Sequence, residues 1–358
     1  MAFFVLRAPR SRFARLYAVV FAMAFGFSLT VSIACAEDAA AFYKGKTFRF
    51  IAGGGVGGGY DAYARMLAPH LGRALGANAI VENQPGAGGL AGLNRIYVSD
   101  PSGLQVLILN GGGAVLSQLF DLQTVQYDLN KVEYLATVSS SPWLVIVSPE
   151  SPYNSLKDLL ASKSMVRWSA VGLIDGLSDG ASMMCEAFAM SCKVVMGYKS
   201  SSEAALAITR NEMDALYVSD TSANNYVKSG QNKAIATISR WRSQFFPDIP
   251  TVFESMQLTP EEAYWMELRS NVDALGRILL TTPGIPEDRL AYLRAAVKKV
   301  LTDPEVIAEG QRTQRYVAFE DGEATKRRAL SIIANTPPDR KERIKNVVTK
   351  KYVPGSGQ

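Results

Sequence analysis

Two α/β domains are predicted by three features of this sequence. Short apolar runs alternate with helical stretches along nearly the whole chain, glycine-rich loops sit between a run and the helix after it, and two proline-bearing breaks divide the alternation. The chain has 358 residues, 48% hydrophobic and 20% charged, which is room for two domains of ordinary size and too apolar for disorder.

The first half opens with apolar runs at 48–52, 79–81 and 104–109, each bounded by glycine or polar turns and followed by a helical pattern. That order is the signature of βαβ units and a largely parallel sheet. Between Tyr60 and Leu75, the residues Tyr63, Met66, Leu67, Leu71 and Leu75 keep the 3.6-residue period of an amphipathic helix, in which Pro69 is expected to make a kink. Strands at 134–138 and 143–147 flank Ser139-Ser140-Ser141-Pro142, a break suited to a domain crossing. Beyond it the alternation resumes. A helix at 155–163 is capped by Ser155, strands are expected at 166–170, 193–196, 214–218 and 233–238, and helices at 181–190 and 203–210. Phe246-Pro247-Asp248-Ile249-Pro250-Thr251 breaks the pattern again, and a strand at 275–280 precedes a long helix at 287–301. The expected division is a first domain of residues 37–138 plus 251–358 and a second of 139–250.

Residues 1–36 read as an export signal: a basic stretch to Arg15, an apolar run over 16–33, then Ala34-Cys35-Ala36, with cleavage expected after Ala36. An uncleaved membrane anchor fits less well, because the run carries Gly26, Ser28, Thr30 and Ser32. Lipidation of Cys35 fits less well because Ser32 stands where a Leu-like residue is wanted. No comparable apolar run recurs, so the mature chain is expected in the periplasm. The full chain carries a net charge of +5, but Arg7, Arg10, Arg12 and Arg15 leave with the signal, and the remainder is close to neutral. That balance gives no electrostatic reason to expect nucleic acid.

Export also changes the reading of the cysteines. Cys185 and Cys192 remain, seven apart, in an oxidising compartment where they can pair; the alternative is two buried thiols. With His70 as the single histidine, neither a zinc site nor a Ser-His-Asp arrangement is suggested, and no cofactor is expected. Asp61, Asp175, Asp179 and Asp220 could supply acid–base pairs, yet each also reads as a loop or cap residue.

The most informative segment is Gly53-Gly54-Gly55-Val56-Gly57-Gly58-Gly59-Tyr60-Asp61, between a strand and a helix. Its glycines let the main chain approach a ligand closely, and the helix N-terminus adds positive partial charge, so an anion is the expected guest. Asn83-Gln84-Pro85-Gly86-Ala87-Gly88-Gly89 repeats the device after the second strand, and Asn110-Gly111-Gly112-Gly113 after the third. In a parallel sheet all three loops lie at the carboxyl ends of the strands, where open α/β sheets bind ligands. Gly53, Gly55 and Gly58 with Glu82 formally meet the dinucleotide fingerprint, so a dinucleotide-binding protein or an exported α/β enzyme stands as the alternative. No Lys-Ser or Lys-Thr follows the glycines, which removes a Walker phosphate loop.

Several stretches together resemble the Bug (TctC-like) family, the extracytoplasmic solute-binding proteins of tripartite tricarboxylate transporters. They are the glycine loop with Tyr60-Asp61 and Arg65-Met66-Leu67, the stretch from Val81 through Gly89, Tyr198-Lys199, the stretch from Phe246 through Glu254, and Pro283-Gly284-Ile285-Pro286 with Asp303-Pro304-Glu305-Val306. The resemblance implies a type II periplasmic-binding-protein fold, two α/β domains around a ligand cleft. It implies a monomeric, non-enzymatic receptor that closes on a small carboxylate-bearing solute and hands it to membrane permease subunits. From the first domain the expected ligand contacts are Gly54, Gly55, Val56, Gly57, Gly58, Gly59 and Tyr60, then Gly86, Ala87, Gly88 and Gly89, with Asn110 and Gly111 from the third loop. From the second domain the resemblance points to Gly172, Ser178 and Gly180, and to Asp220 or Thr221. The first loop of many members carries proline, whereas here it is nearly all glycine.

Overall fold

The computed structural model describes residues 39–86 and 89–353. The export segment with its cleavage point, Cys35, Ala87 and Gly88 lie outside the described residues.

Two mixed sheets organise the chain. The first six-stranded sheet holds β1 (Thr47–Ala52), β2 (Asn78–Asn83), β3 (Gln105–Asn110), β4 (Glu133–Ser139), β10 (Arg277–Thr281) and β11 (Glu320–Asp321), in the order β11-β4-β10-β3-β1-β2. The second holds β5 (Trp143–Val147), β6 (Val166–Ser169), β7 (Cys192–Val195), β8 (Ala215–Ser219) and β9 (Lys233–Thr237), in the order β7-β6-β8-β5-β9. β1 pairs in parallel with β2 and β3, and β6 in parallel with β7 and β8, as βαβ crossovers require. The expectation of largely parallel sheets needs correction at β5 and β10, which run antiparallel to both their neighbours. Each of these strands enters its sheet from the other domain. No crossover helix within that sheet constrains its direction.

The helix Gly59–Leu75 runs through Pro69 without a break, burying Tyr63, Met66, Leu67, Leu71 and Leu75 as the periodicity indicates. It ends at Gly76, whose φ of 66° is the left-handed conformation that closes helices at low cost. The return from the second sheet carries the helix Pro260–Asp273, which packs against the helix Leu177–Ala187. Arg269 fastens that contact: wholly buried, it reaches Asp179 at 2.5 Å and Asp273 at 2.6 Å, and the Tyr217 hydroxyl donates to the same Asp273. Residues 343–352 also lie on this side. The Val194 amide donates to the Tyr352 carbonyl, and Arg343, Lys351 and Tyr352 gather on Glu186. Cys185 and Cys192 are joined by a disulfide, their Cα atoms 6.1 Å apart.

Candidate ligand-binding cleft

Between the two sheets the chain encloses a cavity of about 80 Å³. The first domain supplies Gly53, Gly54, Gly55, Gly58, Gly59 and Tyr60 after β1, Pro85, Gly86 and Gly89 after β2, and Gly276 with Arg277 where β10 begins. Across from them stand Ser141 and Trp143 at the crossing, Val171, Asp175 and Leu177 after β6, the turn at 199–201, and Val218, Ser219 and Ser222 around the end of β8.

The first glycine loop meets the second domain at backbone distance. A Cβ on Gly55 would lie 2.5 Å from the Lys199 carbonyl oxygen, and one on Gly58 would lie 3.5 Å from Ser200 Cβ. Gly89, at a φ of 97°, passes so close to Gly53 that a Cβ would lie 2.6 Å from its carbonyl oxygen. Within the first loop the Gly57 amide donates to Asp61 Oδ2 at 2.9 Å and the Gly58 amide to the Gly55 carbonyl. Burial raises the Asp61 carboxyl, but hydrogen bonds from Arg65 and the Gly57 amide outweigh it and hold the group below its usual range. The amides of Gly59 and Tyr60 begin the helix and have no intrahelical acceptor, which leaves them, with the positive end of the helix dipole, at the cavity.

Arg277 is the charged centre of this wall. It is 7% exposed, Nη1 donates to Ser139 Oγ, and Nη2 donates to Ser219 Oγ at 2.9 Å and Thr221 Oγ1 at 3.0 Å. Its guanidinium lies over the Tyr63 ring, 4.6 Å from the centroid. Nε has no partner, and among the described residues no carboxylate lies within ion-pair distance. A buried cation supported only by hydroxyls and an aromatic face carries an uncompensated desolvation cost that an anionic guest would offset.

The acids of the second domain are arranged differently. Asp175 lines the cavity and accepts the amides of Val171 at 2.7 Å, Gly172 at 2.9 Å and Ser178 at 2.8 Å. Burial pushes its carboxyl upward, against the pull of those three donors. Asp220, at the start of the helix Asp220–Lys228, accepts from Ser243 Oγ at 2.9 Å; burial pushes it up to about 6, while Ser243, Ser141 and the Arg277 charge pull it down.

The expected site residues therefore fall into three groups. Gly54, Gly55, Gly58, Gly59, Tyr60, Gly86 and Gly89 converge on the cavity. Val56 is 71% exposed at the loop tip, and Gly57 lies beside it with its amide turned to Asp61. The rest stand behind the wall. Asn110 caps the helix Gly111–Leu119 by accepting from the Gly112 amide, and Gly111 packs on Leu275 and Ile278. Gly172 and Ser178 spend their amides on Asp175, Gly180 gives way to the Tyr217 ring, Thr221 supports Arg277, and Asp220 faces Ser243. Arg277, Asp175, Ser141 and Trp143 do not stand out in the sequence as ligand contacts. A charged residue inside an otherwise apolar strand run is the available signal for Arg277.

Comparison with known proteins agrees with this architecture. Residues 63–330 match the tripartite tricarboxylate transporter family receptor, TctC. A UPF0065 protein of Bordetella pertussis is 22% identical over 282 residues, covering 77% of this chain and 83% of that protein. The periplasmic binding protein BugD superposes with a TM-score of 0.71 at 22% identity, covering 85% of this chain and 98% of BugD. MatC from Rhodopseudomonas palustris with bound malate gives a TM-score of 0.67 at 19% identity, covering 85% and 99%. With well over half of its length matched, the chain belongs to the TctC family of tripartite tricarboxylate transporter receptors.

Proposed function

We propose that this chain is a periplasmic receptor, exported with cleavage after Ala36, that captures a small carboxylate-bearing solute in its cleft and delivers it to the permease subunits of a tripartite tricarboxylate-type transporter. It acts as a monomer and without covalent chemistry: the two domains close on the solute and release it by opening. The proposed division is residues 37–138 with 251–358 against 139–250, and the helix Pro260–Asp273 and residues 343–352 of the first part pack on the second.

The observation that carries this reading is Arg277, a buried guanidinium at the cavity with no carboxylate within ion-pair distance among the described residues. A guest carboxylate there gains a charge-assisted hydrogen bond and the helix-terminal amides of Gly59 and Tyr60. Gly54, Gly55, Gly58, Gly86 and Gly89 let the guest approach the main chain.

Native mass spectrometry of protein purified without unfolding tests the proposal. The expected result is a small carboxylic acid that co-purifies, leaves on denaturation and is absent from Arg277→Gln. A bound dinucleotide, or chemical conversion of the acid during incubation, would overturn it.

A further inference from the structure

In the second domain the amides of the loop after β6 are already occupied. Asp175 Oδ2 takes those of Val171 and Gly172, and Oδ1 takes that of Ser178, so a carboxylate of the protein itself fills this nest at the edge of the cavity. Arg277 lines the same cavity. A second acid group lying against Asp175 would meet that charge in a setting where water has been displaced.

The neighbouring wall is apolar. Trp143, stacked on Tyr217 at 5.2 Å, stands there with Val171, Leu177 and Val218, and of these side chains only the Trp143 indole carries a donor. The cavity thus has one positive charge outside any ion pair among the described residues, one resident negative charge and apolar side chains in its lining.

We infer that the cleft selects a monocarboxylate with a short apolar body, seated with its acid group at Arg277 and its tail toward Trp143, Leu177 and Val218, and that Asp175 excludes diacids. This rests on the carboxylate-receptor reading and narrows it. It sets the chain apart from the malate-bound relative, whose ligand has two acid groups.

Calorimetric titration of the wild-type mature chain with butanoate against succinate, and pentanoate against glutarate, tests the inference. Each monoacid is expected to bind at least about tenfold more tightly than its diacid. In Asp175→Ser, which frees the Val171, Gly172 and Ser178 amides, the preference is expected to shrink or reverse. Should that variant fail to fold, the wild-type pairs decide alone. Diacids bound as tightly as monoacids, with binding lost in Arg277→Gln, would overturn the inference and leave the carboxylate reading intact. Tighter binding of 4-aminobutanoate than of butanoate would also overturn it, since Asp175 would then be receiving a cation. Binding of no acid of either kind would overturn the carboxylate reading and the inference with it.

Discussion

Gly55 and Lys199 meet across the cleft so closely that a single Cβ on the glycine would fall 2.5 Å from the Lys199 carbonyl oxygen. Backbone faces backbone there, and nothing flexible can yield. Gly55→Val should therefore hold the two domains apart while leaving each of them folded. Ligand affinity is expected to fall by more than about tenfold, with no more than about 1 kcal/mol lost from the unliganded protein. Titration calorimetry and small-angle scattering check this; a compact variant with unchanged affinity would refute it.

Removing the guanidinium should separate binding from stability. In Arg277→Gln the hydroxyls of Ser139, Ser219 and Thr221 lose a donor, no ion pair among the described residues is broken, and the buried Asp220 carboxyl loses the charge that pulls it down. The unliganded melting temperature is expected to hold or rise, whereas ligand affinity should drop by about 2–5 kcal/mol. Arg277→Lys keeps the charge but not the fork, and is expected to bind at an intermediate level.

Asp220 supplies a pH dependence of definite sign. Its native carboxyl is pushed up to about 6 by burial, from an ordinary 3.8. At pH 7.5 the group is ionised in both native and unfolded chains, and the native state bears the burial cost of about 3 kcal/mol. That cost is relieved as the pH falls from about 6 toward 3.8, where both states take up the proton. Asp220→Asn should be the more stable protein at pH 7.5, by up to that amount, and the gap should close near pH 4. Urea unfolding at the two pH values measures it, and a gap that widens on acidification would contradict the assignment.

The disulfide between Cys185 and Cys192 closes a short loop between a helix end and the start of β7. Replacing both cysteines with alanine is expected to cost about 2–3 kcal/mol. The wild type should lose a similar amount in reductant, and the double variant nothing further.

Periodicity and turn chemistry made much of this fold legible. The strand Trp143–Val147 and the helix Glu287–Leu301 fall where the apolar pattern places them, and the two glycine loops that reach the cavity stand out by composition. Asn110 illustrates what a loop motif leaves open: an asparagine before three glycines reads equally as a ligand contact or a helix cap, and here it caps. The helix expected to begin near 181 starts at Leu177, because Gly176 at a φ of 92° turns the chain and Asp179 accepts its amide. Arg277 was hidden for a different reason. Its run reads as an ordinary buried strand, and only the return of β10 between β3 and β4 sets its side chain against Ser139, Ser219 and Thr221. Asp175 depended likewise on which amides the loop after β6 turns inward.

The most direct test of the account is a crystal structure of the protein with its bound acid. The ligand carboxylate is expected within about 2.7–2.9 Å of the Arg277 guanidinium and beside the Gly59 and Tyr60 amides. An acid group seated away from Arg277, with the guanidinium still facing only hydroxyls, would contradict it.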